Sequence, residues 1–166
     1  MLCVISAWRK IEAKAYGADR YKKSKHAYVK LDGVELWKAS RDGEQDVCRG
    51  TNMILVDLSA RKMQESRNFD THGDDEAGAQ LSDYIEGLSD GTVLVCVSCD
   101  EASEKLRAAL PALNELGADV SDVRIGGAWV FVAEKGKPAK TVLDKELTES
   151  AANARQPCVT ITFRGT

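Results

Sequence analysis

Residues 28–38 read "YVKLDGVELWK": two stretches that alternate apolar and polar residues, joined by Asp32 and Gly33. Alternation marks a half-buried strand, and an Asp-Gly step supplies the positive φ angles of a tight turn. Two antiparallel strands are expected to meet there. Upstream, "GADRYKKSKH" (17–26) is polar and basic and reads as a solvated connection. Downstream, "MILVDLSARKMQESRNF" (53–69) gives an apolar run over residues 53–56, a turn near residues 59–61 and a second strand ending at Phe69, a second hairpin.

From residue 74 the period changes. Ala77, Leu81, Tyr84, Ile85 and Leu88 fall at helical spacing on one face. Asp74 or Asp75 is placed to cap this helix, its carboxylate accepting orphan amide hydrogens of the first turn. "SDGT" (89–92) ends the helix and "VLVCVSC" (93–99) is an apolar run of buried-strand character. Asp100 is then expected to cap a second helix through Leu106, Leu110, Leu113 and Leu116, closed by Gly117. "AWVFVAEKGK" (128–137) reads as a strand with a turn, residues 139–156 carry a helical pattern around residues 144–152, and "CVTITF" (158–163) alternates as a last strand.

A chain of 166 residues fits one domain spanning residues 1–166. Its net charge of −3 offers no global attraction to nucleic acid or anionic lipid, and no apolar run approaches the roughly 20 residues that cross a bilayer. The expected partner is a glycan, protein receptor or small molecule, with no nucleic acid and no membrane insertion. Oligomeric state is not legible.

The residues with the richest chemistry are weighed against plainer roles. "NFDTHGDDE" (68–76) carries Asp70, His72, Asp74, Asp75 and Glu76, side chains that divalent cations favour, but the helix beside them gives the acids a structural use. Cys96 and Cys99 have the spacing of a redox or zinc pair, yet in a strand residues three apart point to opposite faces. The five cysteines, at 3, 48, 96, 99 and 158, are spread through hydrophobic segments, which suits buried thiols and leaves one or two disulfides open. Trp8, Trp37 and Trp129 sit in strand patterns where core packing is the usual reason for tryptophan, with an aromatic ligand platform as the alternative. Arg49 and Asp100 stand at strand ends, positions that often line binding surfaces.

In order along the chain, "RGTNMILVD" (49–57), "ESRNFDT" (65–71), an acidic helix, "DGTVLVCVSCDEAS" (90–103), "LNELGA" (113–118) and "AWVFVAEKG" (128–136) resemble the interleukin-like EMT inducer domain, also called PANDER-like. The resemblance covers about residues 28–137, with "ISAW" (5–8) and "PCVTITF" (157–163) fitting the first and last strands. It implies an α+β fold of two facing, mostly antiparallel sheets flanked by short helices. It also implies no enzymatic activity, no catalytic residues, no cofactor and no metal.

Family members are cytokine-like secreted proteins or non-catalytic modules of larger extracellular or lumenal proteins, so the resemblance implies an extracellular or secretory-lumen location. "MLCVISAW" (1–8), followed by Arg9, is too short for a signal peptide. In the glycan-binding form of the domain, sugar is contacted by residues matching Arg49 and Asp100 and by an Arg three residues before the strand tryptophan, here Trp129. Gly126 stands at that third position, with Arg124 two residues earlier, on the same face of a strand but displaced about 6–7 Å. The expected ligand-binding set is therefore Arg49, Asp100, Arg124 and Trp129. Two readings compete with a recognition module: a secreted cytokine-like ligand, and a small thiol- or metal-dependent enzyme using Cys96 and Cys99 or the acidic loop.

Overall fold

The two hairpins seed two sheets. The computed structural model describes residues 8–18, 26–40, 48–123, 125–137 and 158–164. In the first hairpin, β3 (His26–Leu31) pairs with β4 (Val34–Ser40) around Asp32 at φ 50° and Gly33 at φ 84°. β1 (Trp8–Lys14) and β9 (Cys158–Arg164) complete an antiparallel sheet in the order β4-β3-β1-β9.

The second hairpin pairs β5 (Gly50–Asp57) with β6 (Lys62–Phe69). β7 (Val93–Asp100) lies antiparallel to β5 and to β8 (Val130–Glu134), and its last residues run parallel to the two-residue β2 (Tyr16–Gly17). The architecture is thus the α+β pair of mostly antiparallel sheets, with β2 the parallel exception.

Burial explains why β5 and β7 are so apolar. Even-numbered Ile54 and odd-numbered Val95 and Val97 face the other sheet, against Ile11 and Val29. Met53, Leu94 and Cys96 face the opposite way, with Phe131, onto α1 (Ala77–Glu86) and α2 (Leu110–Glu115). The layers are sheet, sheet, helices. A strand covered on both faces reads as a continuous hydrophobic run instead of an alternating one. Fully buried Leu81, Ile85 and Leu113 anchor the helical layer, each burial stabilising by about 1.5–3 kcal/mol.

Both helix starts differ from expectation. The residue before α1 is Glu76, and its side chain forms no cap; Asp74 instead accepts the amide hydrogen of Glu76 at 2.9 Å, closing a turn ahead of the helix. Asp75 pairs with Lys105 at 2.5 Å. Asp100 is no cap at all. It is the last residue of β7, at φ 57°, and the second helix begins only at a 3-10 turn over Leu106–Ala109. A local pattern of apolar run, aspartate, helix cannot show that the strand pairs through its final residue with β2. Gly117 does close α2, at φ 80°, with Ala118 donating to the Leu113 carbonyl at 2.9 Å. The helical pattern near residues 144–152 lies outside the described residues.

The Cys96–Cys99 dithiol reading is corrected by the strand's own period. Both belong to β7, and Cys96 sits in the helix-side core while Cys99 sits in the core between the sheets. Burial pushes the Cys96 thiol well above its usual range, so it is not a thiolate near neutral pH. Cys48 is buried with its sulfur 3.4 Å from the Tyr16 hydroxyl. Cys3 lies outside the described residues, and only the backbone of Cys158 is described.

Candidate functional site

The tripeptide Phe69-Asp70-Thr71 leaves β6 and sends each side chain to a different part of the fold. Phe69 enters the helix-side core, its ring 5.5 Å from that of Tyr84, with the Arg67 guanidinium over both rings. Thr71 is fully buried; its hydroxyl donates to the Ala102 carbonyl at 2.9 Å and so accepts from Thr51 at 3.0 Å. Asp70 takes Arg49 in a two-pronged pair, Nε to Oδ1 at 3.0 Å and Nη2 to Oδ2 at 2.6 Å. The amide hydrogens of His72 and Gly73 add to Oδ1 at 3.3 and 3.0 Å.

This pairing accounts for the loop that sequence offered as a metal site. Asp70 is committed to Arg49, Asp74 to the Glu76 amide and Asp75 to Lys105, while His72 Nδ1 lies 3.4 Å from Glu104 Oε2. Among the described residues, no three of His, Cys, Asp and Glu gather where they would hold a cation.

The Arg49 hydrogen bond, foremost, holds the Asp70 carboxyl below the usual carboxylate range against the opposing effect of partial burial, with Gly73 and His72 assisting. A lowered folded pKa contributes stability that is complete above the unfolded value, about 3.9, and is lost as pH falls through the folded one. Asp70→Asn is therefore expected to cost about 1 kcal/mol at neutral pH, with the gap to the parent closing on acidification below about pH 4. Urea unfolding across that pH range checks it; a constant gap would assign the loss to something other than charge.

Arg49 and Asp100 come together. Gly50 pairs with Cys99, so the next residue outward on each strand, Arg49 and Asp100, flanks the same end of the β5–β7 ladder. Gly17 of β2 pairs with Asp100 from the other side. Residues 126–127 pass so close over Gly17 that a Cβ there would strike the Gly126 carbonyl, and the Gly126 amide donates to the Glu101 carboxylate. The three positions singled out by resemblance thus converge on one sheet end: Arg49, Asp100 and, where an arginine is implied, Gly126. Gly126 sits at φ 79°, a conformation suited to glycine.

The other two expected site residues are placed differently. Trp129 is 2 % exposed, its ring stacked on Phe131 at 5.8 Å in the helix-side core, so it is a packing residue with no face for a ligand. Arg124 lies outside the described residues. The described residues that follow it, 125–126, form a turn, and β8 begins at Val130. The tryptophans form no trio: Trp129 packs on the helix side, Trp37 is half-buried against the core between the sheets, and Trp8 is 60 % exposed. Sequence missed Asp70 as the partner of Arg49; both charges were visible, but nothing local links residues 21 apart.

Comparison with known families matches residues 49–137 to the model of the interleukin-like EMT inducer. The chain belongs to the interleukin-like EMT inducer family. The matched span opens at Arg49 and holds β5 to β8 with both helices, whereas β1, β3, β4 and β9, a whole sheet, lie outside it. Curated relatives of this family domain include human FAM3B, 28 % identical over 63 % of this chain and 46 % of that protein. Mouse FAM3A is 29 % identical over 64 % and 46 %. The mouse cell migration-inducing and hyaluronan-binding protein is 28 % identical over 58 % of the chain and 7 % of that much longer protein. The domain spans a little under half the length of its FAM3 relatives. Among its described residues no helix is long and apolar enough to cross a membrane.

Proposed function

We propose that this domain is a non-enzymatic recognition module of the extracellular space or secretory lumen, binding a glycan or a protein partner at the strand end formed by Arg49 and Asp100. The observation that carries the reading is the convergence of Arg49, Asp100 and residues 126–127 on one end of the β5–β7 ladder. Arg49 and Asp100 hold neighbouring positions at that end, and a guanidinium and a carboxylate offer directional donors and acceptors, the chemistry that sugar hydroxyls satisfy. Asp100 at φ 57° adds a second sign, since side chains held in left-handed backbone cluster at functional sites. A relative named for hyaluronan binding favours the glycan, and the interleukin-like description of the family favours a secreted ligand acting on a receptor.

A glycan array that includes hyaluronan oligosaccharides, run on the parent chain and on Asp100→Asn, tests the site. Asparagine tolerates the same backbone and keeps the shape while removing the charge. Binding is expected to weaken at least about tenfold, the range for losing a charged hydrogen bond. Arg49→Ala should abolish binding too, but it also strips Asp70 of its partner, so its folding must be measured alongside. Undiminished binding in both variants would reject the site, and an array silent for the parent chain would turn the search to protein receptors.

A further inference from the structure

A second site lies on the opposite face of the same sheet. Between the two edge strands β4 and β6 opens a cleft of about 370 Å³, within the range of small-molecule sites, about 300–1,000 Å³. Trp37, Lys38 and Ala39 line one side, Ser66, Arg67 and Asn68 the other, with Asn52 and Cys48 between. Asn52 and Asn68 pair across the ladder from Ile54 and Ser66 toward the core between the sheets, while Arg49, in step with Thr51 and Met53, belongs to the helix side. The cleft is therefore separate from the Arg49–Asp100 end.

Its polar wall is fixed. Asn52 is 4 % exposed, and its amide donates to the Cys48 carbonyl at 2.9 Å and the Val97 carbonyl at 3.3 Å. Asn68 donates one amide hydrogen to Asn52 Oδ1 and the other to the Arg49 carbonyl, both at 3.0 Å. With both hydrogens used, the orientation of the Asn68 amide is settled and its Oδ1 is left as an acceptor. The Ser66 hydroxyl forms no hydrogen bond among the described residues and supplies one donor and two acceptor lone pairs.

Those groups select the ligand. An apolar molecule would bury the Asn68 and Ser66 oxygens unpaired, which costs about 1–3 kcal/mol each. Lys38, also on the β4 wall, adds an ammonium donor beside those acceptors, while the guanidinium of Arg67 is held over Phe69 and Tyr84 on the other face. A ring that offers hydroxyl donors at its rim and C–H bonds on its face meets both the acceptors and the half-buried indole of Trp37. We infer that the cleft between β4 and β6, walled by Trp37, Lys38, Asn52, Ser66 and Asn68, is a binding site for a saccharide ring. The β4 wall lies outside residues 49–137, which match the family model.

The test is NMR titration of the full 166-residue chain with methyl glycosides of glucose, galactose and N-acetylglucosamine. Shifts are expected at the Trp37 indole and at the Asn52 and Asn68 side-chain amides. Ser66→Trp fills the cleft from an exposed strand position that accepts aromatics, and should weaken binding about tenfold or more with unfolding unchanged. Trp37→Leu should weaken it similarly, and Asp100→Asn should not. Absence of shifts at these groups for every sugar, or shifts that survive in Ser66→Trp, would overturn the inference. Shifts lost in Asp100→Asn would also overturn it, by tracing them to the strand end, whereas a failed glycan array with cleft shifts intact would reject only the Arg49–Asp100 reading.

Discussion

Gly50→Ala is expected to destabilise the domain by about 3 kcal/mol or more, enough to abolish soluble expression if the parent has ordinary stability. Two costs coincide. Gly50 sits at φ 96°, where a side chain pays about 1–2 kcal/mol of backbone strain. A Cβ there would also meet the Phe69 carbonyl, with the Thr71 nitrogen at 2.7 Å and the Asp70 Cα at 2.9 Å. All three are backbone atoms of the tight turn closed by the 2.8 Å bond from the Thr71 amide to the Phe69 carbonyl, so no rotamer change relieves the overlap. Denaturant unfolding and soluble yield check the expectation, and a loss below about 1 kcal/mol would show that the turn can retreat.

Gly78→Ala is expected to run against the usual direction for its substitution. In a solvent-facing helix, replacing glycine by alanine stabilises by roughly 1 kcal/mol. Gly78, in the first turn of α1, is buried where the helix crosses the 3-10 turn, and a Cβ would collide with the Lys105 carbonyl oxygen while touching Ala108 Cβ at 3.4 Å. Lys105 is not free to withdraw, because its amide donates to the Thr71 carbonyl at 2.8 Å. The alanine should cost about 1–3 kcal/mol and leucine should prevent α1 from docking. Thermal unfolding of the two variants, read beside helix content, is the measurement; a more stable alanine variant would mean that α1 rides free of the 3-10 turn.

Much of the scaffold was legible because it is local. Asp32-Gly33 specified one hairpin, the turn near residues 59–61 the other, and the apolar run at 93–99 announced a strand covered on both faces. The face of α1 followed from spacing alone, with Leu81 and Ile85 fully buried. What stayed hidden depends on partners distant in sequence. Asp100 reads as a cap until the two residues of β2, too short to show any period, pair with the end of β7. Trp129 reads as core from its strand pattern, with a ligand platform left open as the alternative until Phe131 and the helices enclose it. The site is half legible for the same reason: Arg49 and Asp100 were named from a resemblance, but their adjacency is set by ladder register, and Asp70's hold on Arg49 by a turn whose closure needs Gly50.

Burial of β5 and β7 on both faces has a cost before the chain folds. Segments such as residues 93–99, rich in valine, with no proline and no charge, are the kind that unfolded chains use to stick to one another. Each is closed by a carboxylate, Asp57 after one and Asp100 with Glu101 after the other, and Asp90 stands ahead of the second. Charges flanking a sticky strand keep neighbouring chains from stacking it in register. Asp100 stands where such a flanking charge acts, a placement independent of any ligand the finished chain meets.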